Sequence, residues 1–292
     1  MCRYSMNVNL IAALMAVVVV AGTSAPAGAQ WFKYPTPGAP RTSSGEVDLS
    51  APTPRLANGK PDFSGVWMTA ESTCGRVSGP TSVSQLLQVV PPSTKCVVRG
   101  PTMSRKGFNM GVDLPGGLPY QPWLAALVQE RIANQAKEDP HIRCLPDLFL
   151  RAYGLPHYLK FVHTPNLLVM LNEMNGVYRQ VFIDGRPLPM NPTPSWQGYS
   201  SATWSGDTLV VDTIGFRDDL WIDWDGSLIT EAAKVREQIR RPDFGHLEID
   251  VTVDDPKAYT KPWTVTLRQQ FADDELIDEV CLENEKDSEH LK

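Results

Sequence analysis

The sequence lacks any run of basic residues, and its formal net charge is −6. Nucleic acids are bound through clustered Lys and Arg side chains that contact phosphates, so we predict no nucleic-acid partner. A glycine-rich phosphate loop, an HExxH zinc motif and a GxSxG nucleophile elbow are also absent from the chain. These absences argue against nucleotide use, zinc-peptidase chemistry and serine-hydrolase chemistry.

Long apolar runs are scarce as well, and the longest lies near the N-terminus at residues 10–22. It follows Arg3 and precedes small residues at 27–29, a pattern that signal peptidase recognises. The run is shorter than the roughly 20 residues that span a bilayer, although an uncleaved membrane anchor is the alternative interpretation. We therefore predict a cleaved signal peptide at 1–29, a secreted or periplasmic protein and no stable membrane insertion.

Cysteine is also scarce: the chain has five, and Cys2 would leave with the signal peptide. Exported proteins commonly keep their cysteines oxidised, so the other four predict a disulfide framework. The alternative, a metal site, is disfavoured because the spacings contain no CxxC pair. The pairing stays open, although a short loop between the first two and a long tie between the last two is one arrangement. The four residues are Cys74, Cys96, Cys144 and Cys281.

Proline and glycine divide the rest of the chain into segments. Residues 30–61 are rich in proline and predict an extended leader, which precedes a single domain at 62–292. Within this domain, residues 72–118 are rich in Gly, Pro and Ser and predict a loop excursion held by the first cysteine pair. Apolar residues recur at helical spacing over 122–139, which predicts one accessory helix.

Short runs of β-branched and aromatic residues follow one another from about residue 158. Turn signals such as Asn175-Gly176 separate them, which is typical of hairpin connections. The series predicts an all-β, mainly antiparallel fold, either a closed or partly closed barrel or a sandwich; a barrel leaves no exposed strand edge. The predicted strands are 159–163, 167–174, 177–183, 199–204, 208–213, 234–240, 247–253, 264–271 and 276–283, with a first strand near 63–67.

Five segments carry a resemblance to a known group of proteins. They read GKPDFSGVW at 59–67, LPYQPW at 118–123, TWSGDTLVVDTIGF at 203–216, RRPDFGHLEI at 240–249 and DDPKAYTKPW at 254–263. With them the chain resembles a large group of uncharacterised secreted bacterial proteins, frequent in soil bacteria. The resemblance implies that the barrel is lipocalin-like. Members of the group often carry His where this chain has Leu188 and Ile229, so any chemistry of those imidazoles is missing here.

Charged side chains are densest at residues 212–241. Asp223 and Glu231 are candidate general acids or bases, because burial and neighbouring Arg residues can move a carboxyl pKa. Arg236 and Arg179 are candidates to hold an anion or a developing oxyanion. These catalytic roles require that the polar strand face with Arg236 points into the barrel. The alternative is that the charged side chains face solvent.

Other metal-ligating side chains are few. His157 and His163 lie an even number of residues apart and could share a strand face, but a zinc site would need further ligands from Asp or Glu. The acidic loop at 218–225 has some of the oxygen spacing of a calcium loop, but it lacks a complete EF-hand pattern. We therefore predict no metal site and no cofactor.

Two functions fit these patterns. The first is an exported protein that binds a small apolar or aromatic molecule in a cavity of the barrel. The second is a cofactor-independent lyase, isomerase or hydrolase that uses an acidic acid–base group and arginine contacts in the same cavity. Convergence of the four candidate catalytic residues in one cavity would favour the second. The candidate ligand-binding residues are Trp221, Trp224, Arg186, Tyr153, His157 and Arg240. The oligomeric state is not predicted.

Overall fold

The structure is a computed structural model, and it describes residues 34–70, 103–104, 107–111, 114–155, 157–277 and 279–283. The predicted signal peptide, Cys74, Cys96 and most of the predicted excursion at 72–118 lie outside these residues. Within the described ranges, no helix is long and apolar enough to cross a membrane.

The described residues form mainly β-structure. In chain order, the strands are β1 (Gly65–Thr69), β2 (Met103–Ser104), β3 (Gly107–Phe108), β4 (Leu159–Thr164), β5 (Leu167–Asn172), β6 (Tyr178–Phe182), β7 (Tyr199–Ser205), β8 (Thr208–Ile214), β9 (Leu220–Trp221), β10 (Leu228–Ile229), β11 (Lys234–Asp243), β12 (His246–Asp254) and β13 (Trp263–Phe271). The helices are α1 (Pro122–Ala133), the single turn α2 (Phe149–Ala152) and a short 3₁₀ helix (His141–Arg143).

Nine of these strands close into one barrel, in the order β1, β13, β12, β11, β8, β7, β6, β5 and β4, and β4 pairs with β1 again. All neighbouring pairs are antiparallel except β6 and β7, which are parallel. The strands β2 and β3 form one separate hairpin, and β9 and β10 form another. The prediction of an all-β barrel with one accessory helix is confirmed.

The parallel pair departs from the predicted series of hairpins. Val181 pairs with Ser200 and Phe182 with Ser201, so β6 and β7 run in the same direction. The segment between them therefore runs back to the end of the barrel at which β6 begins. Lipocalins are up-and-down barrels of eight strands, whereas this barrel has nine strands and one parallel pair. The lipocalin-like classification therefore stays a prediction.

Alternation along the strands decides what faces the interior. In β11, Val235, Glu237 and Ile239 are buried, whereas Arg236 on the opposite face is exposed. The neighbouring strand β12 has the same period, with Leu247 and the following odd-numbered residues buried. A period of two puts alternate side chains on opposite faces of a sheet, so these strands place one face in the core and one in water.

A buried tryptophan of β1 packs against an aromatic ring and a guanidinium. Trp67 of β1 is fully buried, and its ring meets the Phe271 ring edge-on with centroids 5.9 Å apart. The guanidinium of Arg241 lies 4.8 Å from the Trp67 ring centroid. Arg241 also donates hydrogen bonds to the backbone oxygens of Asp62 and Phe244. The stacked pair thus joins the start of β1 to the end of β11.

The proline-rich segment before β1 packs along the barrel. Backbone N–H groups of Phe244 and Gly245 donate to the carbonyls of Ala51 and Leu49, each at 2.8 Å. Contact at Gly245 is so close that a Cβ there would lie 2.4 Å from the Leu49 Cβ. Arg55 adds a salt bridge to the β7–β8 turn. Residues 35–61 of the predicted leader are therefore part of the barrel's outer layer.

Two predicted elements differ from the structure. The predicted helix 122–139 ends at Ala133, because Gln135 and Ala136 adopt positive φ values of 62° and 56° and break the helical path. The predicted strand 276–283 is wrong: a single bridge between Met174 and Glu279 is the pairing described there.

A disulfide between Cys144 and Cys281 holds this C-terminal segment, which confirms one of the predicted disulfide arrangements for the last two cysteines.

Candidate functional site

The barrel interior contains a buried ion pair between Arg179 of β6 and Glu237 of β11. Arg179 also donates from Nε to Ser200 Oγ at 3.1 Å and from Nη2 to Thr213 Oγ1 at 2.9 Å. Tyr153, which follows α2, donates a hydrogen bond from its hydroxyl to Glu237 Oε1 at 2.8 Å. Hydrogen bonds thus surround both charges, as burial of an ion pair requires.

A cavity of about 20 Å³ adjoins this ion pair and is lined in part by Phe149, Phe161 and Met170. A cavity needs roughly 10–15 Å³ to hold one water molecule, so this space has room for about one. Small-molecule sites enclose about 300–1,000 Å³. The region around Arg179 and Tyr153 is therefore packed core, and it is too small for the organic ligand that the sequence analysis placed inside the barrel.

The four candidate catalytic residues do not converge. Arg179 lies in the barrel interior, and Asp223 lies in the turn between β9 and β10. Arg236 faces outward from β11 and pairs with Asp212 at 2.7 Å. Glu231 is exposed beyond β10. The condition set for the catalytic hypothesis is therefore not met: the polar face of β11 points outward, which is the solvent-facing alternative.

Three of the candidate ligand-binding residues are on or near the barrel surface. Arg186 is exposed and pairs with Asp184, and Arg240 pairs with Asp250 at 2.7 Å across β11 and β12. His157 is half-buried beside two glutamates, away from both arginines. These three residues do not line one common site.

The other three candidates are packing residues in this structure. Tyr153 is buried in the barrel core, as described above. Trp221 is buried under the guanidinium of Arg131, which lies 4.3 Å from its ring centroid. Trp224 is half-buried and packs against the hydrophobic core.

A larger space of about 380 Å³ opens between α1 and the β9–β10 hairpin, and we call it the α1 cleft. Its volume falls within the range of small-molecule sites. One of its lining residues, Glu231, was predicted from the sequence. The cleft is lined by Trp123, Leu127, Arg131, Asp218, Asp219, Leu228, Thr230, Glu231 and Lys257.

The aromatic residue in the α1 cleft is Trp123, near the start of α1. Its side chain is 47 % exposed, although its indole N–H donates to the carbonyl oxygen of Lys257 at 2.8 Å. The start of α1 is fixed nearby, because Gln121 N donates to Ala258 O at 2.8 Å. A large apolar ring is thus held in place with its polar edge satisfied and much of its surface open to solvent.

Arg131, near the C-terminal end of α1, joins the helix to the other side of the cleft. Its guanidinium donates to Gly226 O at 2.6 Å and to Asp219 Oδ1 at 2.8 Å. Gly226 has φ +84°, and a Cβ there would lie 2.5 Å from Arg131 Cδ, so this approach requires glycine. The contact fixes the β9–β10 hairpin against the helix.

A carboxyl pair, Asp218 and Glu231, provides the polar chemistry of the α1 cleft. Partial desolvation and a hydrogen bond with Glu231 raise the pKa of Asp218. The ammonium of Lys257 hydrogen-bonds Glu231, and together with Asp218 it lowers the pKa of Glu231. The two pKa shifts thus run in opposite directions, towards the protonated form for Asp218 and towards the ionised form for Glu231. Neighbouring carboxyls whose environments push their pKa values apart can act as one acid and one base.

The acidic loop does not form the calcium cage considered from its sequence. Asp219 binds Arg131, Asp223 binds backbone N–H groups, and Asp225 accepts from the Asn109 side chain. Asp218 is joined to Glu231. These four carboxylates have different partners, whereas a calcium loop directs its oxygens at one ion.

Asp223 is the candidate catalytic carboxyl that the structure buries completely. Its oxygens accept from the backbone N–H groups of Met110 at 3.2 Å and Ser227 at 2.9 Å. Burial raises the pKa of Asp223 to about 6, since these hydrogen bonds offset only part of the lost hydration and Asp225 adds repulsion. The carboxyl organises the β9–β10 turn from within.

We expect the variant Asp223→Asn to change the pH dependence of stability. Asp titrates near 3.9 in an unfolded chain, about two units below this folded pKa, so ionisation of Asp223 opposes folding. The opposition is absent below about pH 4, grows up to about pH 6 and then stays near 3 kcal/mol. The wild-type free energy of unfolding, measured by urea titration, should fall by about that amount relative to the variant between pH 4 and 7. A difference that does not change with pH would contradict this expectation.

Sequence reasoning missed two central residues of the α1 cleft, Trp123 and Lys257. The helix that carries Trp123 was interpreted only as packing, and Lys257 lies in a turn after β12. Both residues occur in segments that carry the resemblance, 118–123 and 254–263, which was the available signal. No protein-family model, curated protein or solved structure matches this chain.

Proposed function

We propose that this chain is an exported protein that binds a small hydroxylated aromatic molecule in the α1 cleft. The observation that carries the proposal is the half-exposed Trp123 ring, held at its edge, in the same cleft as the Asp218–Glu231 carboxyl pair. The proposal keeps the aromatic ligand expected from the sequence and moves it from the barrel interior to this cleft.

Apolar side chains of the α1 cleft would hold the ring of the ligand. Leu127 and Leu228 line the cleft together with Trp123, so the flat apolar face of a ligand ring would be removed from water when it packs against them. Offset or edge-on contact between two aromatic rings contributes about 0.5–1.5 kcal/mol beyond the area that is buried.

Charged groups of the cleft would bind the hydroxyl of the ligand. Oxygens of the Asp218 and Glu231 carboxyl groups can accept a hydrogen bond from it, and the ammonium of Lys257 can donate one. Asp219 and Glu231 are each paired with a cation, Arg131 and Lys257. With Asp218 included, three acidic and two basic residues line the cleft and their formal charges sum to −1, which favours a neutral polar ligand over an anion.

Two observations support export. The N-terminal segment at 1–29 has the apolar run and small residues of a signal peptide. The Cys144–Cys281 disulfide is typical of proteins that mature outside the cytosol. Membership of the secreted bacterial group, with a lipocalin-like barrel, belongs to the same proposal.

Ligand-observed saturation-transfer NMR with a panel of small phenols tests the binding proposal. We expect transfer to the ring protons of at least one phenol in the wild type and at least about a tenfold loss of affinity in Trp123→Ala, since ring contact and apolar burial together exceed about 1.4 kcal/mol. Glu231→Gln should weaken binding of the same compound.

A matched control is Tyr199→Ala, which removes an exposed aromatic side chain on β7 outside the α1 cleft. This variant should bind the phenol as the wild type does. Absence of transfer to any phenol of the panel, or equal affinity in Trp123→Ala, would overturn the proposal.

A second function, general acid–base catalysis, is favoured by one specific observation, the opposite pKa shifts of Asp218 and Glu231. In such an enzyme Asp218 would be the acid and Glu231 the base. Both Asp218→Asn and Glu231→Gln should then abolish turnover of a bound phenol ester or ether, as followed by release of the phenol. Binding without turnover in the wild type would leave the binding function alone.

A further inference from the structure

Three potential ligand side chains meet beside the β4–β5 hairpin, two of them from the ends of that hairpin and one from the C-terminal segment. His157 precedes β4, Glu173 follows β5, and Glu279 lies in the C-terminal segment. One ligand atom from each residue can be chosen so that all lie within 4.8 Å of one another. His157 Nδ1 is 3.3 Å from Glu279 Oε2 and 3.8 Å from Glu173 Oε1. We call these three residues the His157 cluster.

The spacing within the His157 cluster suits a common ion. Imidazole nitrogen and carboxylate oxygen bind Zn²⁺ at about 2.0–2.2 Å. Ligand atoms on one ion at such distances lie roughly 3–4 Å apart, which is the separation between His157 Nδ1 and the two carboxylates. A small inward movement of these side chains would complete three bonds.

Glu173 supplies an independent indication of a missing partner. Its side chain is buried, with 8 % of the residue exposed. Oε1 accepts from the backbone N–H of Tyr158 at 2.7 Å, but among the described residues Oε2 is buried without a hydrogen-bond partner. Burial raises the pKa of Glu173, and the backbone N–H groups of Tyr158 and Ile277 offset only part of this. A buried carboxylate oxygen without a donor is costly, and a bound cation would compensate it.

Backbone hydrogen bonds and the disulfide position the Glu279 segment of the His157 cluster. Glu279 O accepts from Asn175 N at 3.0 Å, and the Asn175 side chain accepts from Cys281 N at 3.1 Å. The disulfide of Cys281 to Cys144 attaches the same segment to the barrel. Because the backbone at Glu279 and Cys281 is fixed, little ordering is left for the ion to impose.

A second histidine lies beside the cluster. The His141 ring centroid is 6.1 Å from that of His157, and His141 Nδ1 hydrogen-bonds Asp147 Oδ2 at 2.7 Å. Carboxylate partners of this kind orient histidines at metal sites. Asp147 also pairs with Arg151, so its own charge is compensated and it is not counted among the ligands.

We propose that His157, Glu173 and Glu279 bind a divalent transition-metal ion, with Zn²⁺ as the reference ion. One nitrogen and two carboxylate ligands form a mixed set that suits Zn²⁺ better than the all-oxygen ions Ca²⁺ and Mg²⁺. The two negative carboxylates balance the charge of the ion. Three protein ligands leave the fourth position of a tetrahedral site to an exchangeable water molecule.

Isothermal titration calorimetry tests the site on the full chain with its disulfide formed, purified without a histidine tag and stripped of metal with a chelator. We expect one Zn²⁺ per chain. The variants His157→Gln and Glu279→Gln, both at partly exposed residues, should each weaken Zn²⁺ binding by at least about tenfold. Visible absorption of added Co²⁺ should show the bands of low-symmetry coordination in the wild type and lose them in both variants.

Two matched controls separate this site from surface histidines and glutamates. His246→Gln alters a half-exposed His–Asp pair on β12, and Glu275→Gln alters a surface pair with Lys160. Both controls should bind Zn²⁺ as the wild type does. The proposal is overturned if millimolar Zn²⁺ produces no binding, if His157→Gln and Glu279→Gln bind equally well, or if Ca²⁺ or Mg²⁺ binds more tightly than Zn²⁺.

Discussion

Replacing Arg179 by methionine should lower the free energy of unfolding by about 3–5 kcal/mol, the range for removing one member of a buried ion pair. The substitution keeps much of the side-chain volume but leaves Glu237, which is 0 % exposed, without its cation. Ser200 and Thr213 lose a donor but keep their hydrogen bond to each other at 2.9 Å, so the loss concentrates on the carboxylate.

A second replacement separates the cost of an uncompensated charge from general damage to the core. In Arg179→Met combined with Glu237→Gln, the interior has no charge, and the amide oxygen of Gln can still accept from Tyr153. We expect the double variant to recover much of the lost stability, because replacing both partners of a buried ion pair by uncharged residues often changes the free energy of unfolding little. Urea unfolding of the wild type, Arg179→Met, Glu237→Gln and the double variant gives the coupling energy between the two residues directly.

The matched surface variant is Arg236→Met, which removes a cation from the outer face of β11. Arg236 pairs with Asp212 in water, with 60 % and 42 % of the two side chains exposed. Exposed pairs of this kind contribute about 0–1 kcal/mol, so this variant should be nearly as stable as the wild type. If Arg179→Met were equally mild, or if the double variant were less stable than the single one, the interior pair would not have the assigned role.

The strands of the barrel could be predicted because alternation of apolar and polar residues is a local property. For β11, alternation alone did not reveal which face points inward. The face with Arg236 is charged, but the other face contains Glu237 between apolar residues and is charged too. The partner that explains this burial is Arg179, 58 residues earlier in the chain, so the direction became clear only with the fold.

The α1 cleft was not predictable from local patterns for the same reason. Trp123 and Lys257 are 134 residues apart, and the indole contact between them depends on which loops meet at one end of the barrel. Glu231 was selected for its charge alone. The lysine and second carboxyl that set its pKa come from two other loops, so its chemistry depends on tertiary contacts.

The parallel pairing of β6 and β7 is another limit of local signals. Asp184-Gly185 is one of the turn signals that separate the predicted strands, which the sequence predicts to be connected as hairpins. In the structure a longer segment follows that turn before β7 begins, and within this segment Ser195 forms an isolated bridge with Phe216. A turn signal shows where the chain bends but not which strand the chain pairs with afterwards.

Removing the Cys144–Cys281 disulfide should produce a second large loss of stability. The double variant Cys144→Ser/Cys281→Ser avoids a free thiol and opens a loop with a sequence separation of 137 residues. The chain-entropy account predicts an effect on the order of 5 kcal/mol for a loop this long, and measured losses for native disulfides are about 2–5 kcal/mol. Urea unfolding at fixed pH should show this decrease, with a larger urea m-value if the unfolded chain becomes more expanded.

The size of the loss reports how firmly the C-terminal segment is held by other contacts. Among the described contacts other than the disulfide, the bridge to Met174, two hydrogen bonds with Asn175 and the His157–Glu279 pair join residues 279–281 to the rest of the protein. If the disulfide constrains the unfolded chain, stability should fall by several kcal/mol even though these contacts are few. A loss below about 1 kcal/mol would mean instead that the unfolded ensemble already keeps the two cysteines close. Far-ultraviolet circular dichroism of the folded variant should show an unchanged barrel, since both cysteines lie outside its nine strands.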